Sequence, residues 1–309
     1  MTRHFLADDD LTPDEQAEVL ALAAAMKQAP YDAKPLGGPR TVAMIFDKPT
    51  LRTQASFAAG IAELGGNPML VDGQLAGIGV REPIADVARI LGRQASMVVW
   101  RTYGQDRIEE MAAYAGVPVV NALTDDYHPC QLLADLLTVQ EHRGSLAGQR
   151  VAFVGDGACN MGNSWLLAGA TAGMHVRISA PEGYTPDQTM VDRAAAIAET
   201  TGGSVGLEHD PVVAVTDVDV VVTDTWVSMG KEDEAADRLE VFGPYCVTSE
   251  LFDRAKDDAI LLHCLPAYRG KEVDAAVIDG PRSAVWDEAE NRRHAQKAIL
   301  TWLFGARDV

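Results

Sequence analysis

Short runs rich in valine, isoleucine and leucine recur along this chain with helix-like stretches between them, and that alternation limits the possible folds most. Apolar runs at 41–46, 68–71, 96–100 and 118–121 predict four strands, and runs at 149–155, 175–179, 217–223 and 259–263 predict more. Between them, 52–64, 83–92, 106–115 and 129–142 read as helices, and an amphipathic stretch at 287–304 reads as a last one. Near-continuous apolar strands separated by helices are what parallel sheets covered on both faces require. The expected fold is therefore α/β, with two doubly wound parallel-sheet domains joined by long helices. The C-terminal helix is expected to pack back on the first domain. The expected division is 1–132, completed by 286–309, and 133–285. Thr12-Pro13-Asp14-Glu15 has the residues of a capping box and predicts the start of the first helix.

The 309 residues suffice for two modest domains. With 26 Lys+Arg against 45 Asp+Glu the formal net charge is −19, which disfavours nucleic acid and anionic membrane as partners. An anionic small substrate remains compatible if basic residues gather locally. The first ten residues hold no apolar core of a signal peptide, and no apolar run reaches the roughly 18 to 20 residues that cross a bilayer. Cys130, Cys159, Cys246 and Cys264 follow neither metal-site nor disulfide spacing. A cytoplasmic, reduced protein is the expectation.

In open parallel sheets, ligands bind beyond the carboxyl ends of the strands, so the residues after each strand carry the functional reading. Thr50-Leu51-Arg52-Thr53 lies at a strand-to-helix junction, where free amides, two hydroxyls and a guanidinium make an anion site. The plain alternative is a capped helix start with a surface arginine. Arg101 occupies the same relative place one strand over, where it is either a strand-end salt bridge or a second cation for the same ligand. His128 precedes Pro129 at a helix start, with Gln131 on the same opening turn. Asn160 opens the helix after Gly155-Asp-Gly157, a weak match to a dinucleotide fingerprint that lacks the third glycine. Asp224, followed by Ser228-Met229-Gly230, suits an ammonium group. Cys264 ends a buried strand in His263-Cys-Leu-Pro266, as an inert thiol or one that touches ligand. The segment from Glu288 to Arg293 reads as a mostly solvated helix face, with one of Arg292 and Arg293 turned inward.

Taken in order, Phe46-Asp-Lys-Pro-Thr-Leu-Arg-Thr53, Trp100-Arg-Thr102, His128-Pro-Cys-Gln131, Asp224-Thr-Trp-Val-Ser-Met-Gly230, His263-Cys-Leu-Pro266 and Glu288-Ala-Glu-Asn-Arg292 resemble the carbamoyltransferases, and among them the ornithine carbamoyltransferases. The resemblance runs from about residue 40 to 305. It implies transfer of a carbamoyl group from carbamoyl phosphate to the side-chain amine of L-ornithine, giving L-citrulline and phosphate in arginine metabolism. It implies no metal or organic cofactor, and a homotrimer with sites near subunit interfaces. By matching position, Thr50, Leu51, Arg52, Thr53, Arg101, His128, Gln131, Cys264, Leu265 and Arg292 would hold carbamoyl phosphate. Asn160, Asp224, Ser228 and Met229 would hold ornithine, and Arg101, His128, Asp224, Cys264 and Arg292 would be catalytic. The first domain would bind carbamoyl phosphate and the second ornithine.

Three positions depart from the family pattern. Leu51 replaces one of a hydroxyl pair, Gly77 stands where a glutamine often reaches a neighbour's site, and Cys159 replaces an asparagine. Gln74 is a possible substitute for the missing glutamine. Competing readings are a carbamoyltransferase for putrescine or a modified ornithine, a non-catalytic binding subunit, and an NAD-dependent oxidoreductase.

Overall fold

The computed structural model describes residues 2–227 and 232–305. The chain forms two compact units, residues 1–137 with 290–309, and residues 138–289.

In the first unit, β1 (Thr41–Phe46), β2 (Asn67–Asp72), β3 (Met97–Arg101) and β4 (Val119–Leu123) form a parallel sheet in the order β2-β1-β3-β4. The central β3 is buried along its whole length, as its apolar run Met97-Val-Val-Trp100 requires, and Arg101 at its end is buried with it. Helices Ile84–Gln94 and Gln105–Ala115 pack on β3 and β4 and on each other. Their approach depends on Gly92, where a Cβ would lie 1.7 Å from the Ala115 carbonyl oxygen. Ile45, Val98, Trp100, Ile108 and Met111 belong to the core they enclose. The capping box at Thr12 forms as expected: its hydroxyl accepts from Glu15 N and its amide donates to the Glu15 carboxylate.

In the second unit, β5 (Arg150–Val154), β6 (His175–Ser179), β7 (Ser204–Glu208), β8 (Val220–Thr223) and β9 (Ile260–Leu262) run parallel in the order β7-β6-β5-β8-β9. The edge strand β7 has no counterpart among the named expectations, because Ser204-Val-Gly-Leu-Glu208 is half exposed and lacks an apolar run. The predicted strand at 217–223 begins later, at Val220, since Asp217 takes a left-handed conformation with φ 59°. Val154, Val221, Val247, Phe252 and Leu261 sit in this unit's core.

The Pro129–Arg143 helix carries the chain from the first unit into the second, and the Val285–Gly305 helix brings it back. Among the described residues no helix is long and apolar enough to cross a membrane. In each sheet the strand order reverses beside the first strand, between β1 and β3 and between β5 and β8. The residues following those four strands therefore stand at switch points, where parallel sheets leave room for ligands.

Candidate active site

Asp47 to Thr53 follow β1 and lead into the Arg52–Glu63 helix. Its N-cap, Leu51, offers no side-chain acceptor and leaves its side chain 78% exposed. Thr50 Oγ1 accepts instead from Thr53 N at 3.4 Å. The Thr53 side chain is buried, and its hydroxyl oxygen accepts from two guanidinium groups, Arg101 Nη1 at 3.4 Å and Arg292 Nη2 at 2.9 Å. Arg101 ends β3 and Arg292 comes from the last helix, and both are almost entirely buried.

His128, also buried, stands immediately before the Pro129–Arg143 helix, and its carbonyl accepts the amides of Gln131 and Leu132. Desolvation holds its imidazole well below the ordinary value, reinforced by the positive charges of Arg292, Arg101 and Arg52. The structure thus brings together Thr50, Arg52, Thr53, Arg101, His128 and Arg292. Gln131, on the same helical turn, is buried and donates from Nε2 to Asp135 Oδ1 at 2.8 Å. Three guanidinium groups, a helix N-terminus and an imidazole held neutral thus gather inside a chain of net charge −19, an arrangement suited chemically to an anion. Cys130 takes no part: burial pushes its thiol up to about 12, and Sγ donates to the Asn121 carbonyl at 3.3 Å.

The second unit gathers the other set. Asn160 is the first residue of the Asn160–Thr171 helix after β5, and Asp224 follows β8. Cys264 Sγ donates to Asp224 Oδ1 at 3.2 Å, and the Thr225 amide donates to the same oxygen at 2.7 Å. Loss of hydration raises the Asp224 carboxyl above its usual range, opposed by His263 and by the bond from Cys264. Leu265 is left-handed, with φ 57°, and precedes a cis bond to Pro266. Its amide donates to His263 Nδ1 at 2.9 Å, so His263 carries its proton on Nε2, facing Glu272 Oε1 at 3.3 Å. Ser228 and Met229, expected to hold ornithine, lie outside the described residues.

Ligand atoms of Asp224, His263 and Cys264 lie within 4.8 Å of one another, a spacing that suits a cation. The His263 ring, however, is committed on both nitrogens to Leu265 and Glu272, which marks it as a brace of the bend.

Several supporting residues carry no local signal in the sequence. Arg238 Nη1 is bound to Asp156 Oδ2 at 2.7 Å and to the Trp226 carbonyl at 3.0 Å, tying the loop after β5 to the one after β8. Gly157, read as part of a dinucleotide fingerprint, serves packing: a Cβ there would lie 2.5 Å from Ile178 Cγ2, and one on Gly162 would lie 2.2 Å from the Gly157 oxygen. The expectation of a solvated face at 288–293 is corrected. Glu288 is buried and accepts from the His263 amide at 2.8 Å, and Asn291 is buried and accepts from Lys27 Nζ at 2.7 Å. Arg292 does point inward, while Arg293 pairs with Glu63 at 3.3 Å. Gln74 is turned into its own unit and donates to the Asp47 carbonyl at 2.9 Å.

Residues 3–141 match the carbamoyl-P binding domain of aspartate/ornithine carbamoyltransferases, and residues 147–303 match the Asp/Orn binding domain. Ornithine carbamoyltransferase of Clavibacter michiganensis subsp. michiganensis is 63% identical over 303 residues, 98% of this chain and 99% of that protein. The solved ornithine carbamoyltransferase of Pyrococcus furiosus superposes with a TM-score of 0.94 at 43% identity, covering 98% of this chain and 97% of that one. The anabolic enzyme of Campylobacter jejuni also gives 0.94, at 36% identity, covering 99% and 100%.

Proposed function

The chain belongs to the aspartate/ornithine carbamoyltransferase family, and from that premise we propose that it transfers the carbamoyl group of carbamoyl phosphate to the side-chain amine of L-ornithine, releasing L-citrulline and phosphate. The observation that carries the donor assignment is the pair of buried guanidinium groups on the Thr53 hydroxyl, with neutral His128 beside them. Arg52 and the helix-start amides take the phosphate oxygens and stabilise the charge that grows as phosphate leaves. Arg101, Thr53 and His128 polarise the carbonyl oxygen. Gln131, Leu265, Cys264 and Arg292 complete the donor set.

Ornithine is assigned to Asn160, Asp224, Ser228 and Met229. The amine must lose a proton to attack, and Asp224 beside Cys264 is the group placed to position it. Attack forms the N–C bond, the C–O bond to phosphate breaks, and the amine proton leaves to solvent or the released phosphate. Residues 1–132 with 286–309 are assigned to carbamoyl phosphate, and 133–285 to ornithine. The direction proposed is arginine biosynthesis, in the cytoplasm.

A homotrimer is proposed as the assembly. Leu51, Leu70, Leu75 and Val80 are all more than half exposed in the first unit, three of them in or just after the edge strand β2. Large apolar side chains in water mark a surface that another chain covers. Light scattering is expected to give three times the mass of the chain.

The deciding experiment measures citrulline formed by the purified protein from carbamoyl phosphate with ornithine, putrescine or N-acetylornithine. Ornithine is expected to be the fastest acceptor. Faster reaction with either of the others would reassign the acceptor, and no heat of carbamoyl phosphate binding in a calorimeter would point to a non-catalytic subunit.

A further inference from the structure

Arg101 sits where the ladder between β3 and β4 slips: Trp100 pairs with Asn121, but Arg101 pairs with Leu123. A register shift re-aims side chains and removes the usual constraint on where one points. The residues on either side of it are held by a single oxygen. Asp47 Oδ2 accepts from Thr102 Oγ1 at 2.6 Å, from Trp100 Nε1 at 3.1 Å and from Arg107 Nη2 at 3.4 Å. The Asp47 amide donates to the Arg101 carbonyl at 2.9 Å. Side chains alternate across a strand, so gripping residues 100 and 102 from one face directs residue 101 to the other.

The same carboxylate is coupled to the segment after β2. Arg107 Nη2 also donates to the Ile78 carbonyl at 2.9 Å and Arg107 Nε to Thr102 Oγ1 at 2.9 Å, while Gln74 holds the Asp47 carbonyl. A Cβ on Gly73 would lie 1.8 Å from Asp47 Oδ1, so Gly73 is the residue that lets the carboxylate fit.

We propose that Asp47 is a positioning residue for carbamoyl transfer: its carboxylate clamps Trp100 and Thr102 and so sets the aim of the Arg101 guanidinium onto the donor site. The inference rests on the assignment of Arg101 to carbamoyl phosphate, and the test separates the two. Asp47→Asn keeps the shape but weakens a charge-assisted acceptor. It is expected to lower kcat/KM for carbamoyl phosphate by about ten-fold or more, with the KM for ornithine at saturating carbamoyl phosphate changed less than about two-fold. Thr102→Val removes one grip and is expected to give a smaller loss of the same kind; it decides the matter if Asp47→Asn fails to fold. A lowered melting temperature with unchanged kinetic constants for the folded protein would make Asp47 merely structural and overturn the proposal. Arg101→Lys is the control. Loss of activity there with none in the Asp47 and Thr102 variants sinks the positioning role alone, whereas full activity in Arg101→Lys sinks the site assignment itself.

Discussion

Arg292 reaches Thr53 at 2.9 Å across 239 positions of chain, and the hydroxyl it finds is the one that Arg101 also uses. Thr53 is therefore the acceptor that orients two cations at once. Thr53→Val preserves volume and removes that acceptor. Steady-state kinetics are expected to show kcat/KM for carbamoyl phosphate reduced roughly ten- to a hundred-fold, with far-ultraviolet circular dichroism unchanged. A variant as active as the parent would mean that the guanidinium groups are held by something else.

Asp224 and Cys264 form the corresponding pair of the second unit. Replacing Asp224 by Asn is expected to reduce citrulline production by about a hundred-fold or more. Calorimetric binding of carbamoyl phosphate alone should stay at the parental affinity. Equal damage to both would place Asp224 in the donor site.

His128 gives a pH dependence of defined sign. Its folded-state pKa is depressed well below the ordinary 6.5, so above that value both folded and unfolded chains keep it neutral and its contribution is fully present. As the pH falls below 6.5 the unfolded chain takes up a proton that the folded one refuses, and stability is lost. His4 and His294 are lowered too and act in the same direction. Thermal melts of His128→Asn are therefore expected to fall less steeply from about pH 7.5 to about 5.5 than those of the parent. Parallel curves would refute the assignment of a neutral buried imidazole.

The Arg238–Asp156 pair is almost wholly buried on both sides. Arg238→Met leaves Asp156 without its cation, and removing one partner of a buried pair costs about 3–5 kcal/mol. Urea denaturation should register that loss; a change below about 1 kcal/mol would show that water compensates the carboxylate.

The strands that form the two sheets' interiors were legible because β1, β3 and β8 are apolar but for one terminal residue each, and buried parallel strands admit little else. Strand β7 was not, because an edge strand with Gly206 and half-exposed side chains carries no such run. Thr50 to Thr53, Arg101 and His128 were legible as strand-end and helix-start residues. Glu288 and Asn291 were misread as solvent-facing, since their partners, His263 and Lys27, lie 25 and 264 positions away. Asp47 and Arg238 carry no local signal for the same reason: a carboxylate or guanidinium that braces a loop looks, in sequence, like any surface charge.

The Val285–Gly305 helix supplies Glu288 to one unit and, a turn later, Asn291 and Arg292 to the other. On the ribosome Asn291 and Arg292 are made only after the whole of the second unit, residues 138–289, has been synthesised. A nascent chain thus holds Arg52, Arg101 and His128 long before it has Arg292. Translation itself delays the Arg292–Thr53 bond until the partner module already exists, and any expression of the first module alone would need the segment from residue 290 onward grafted back.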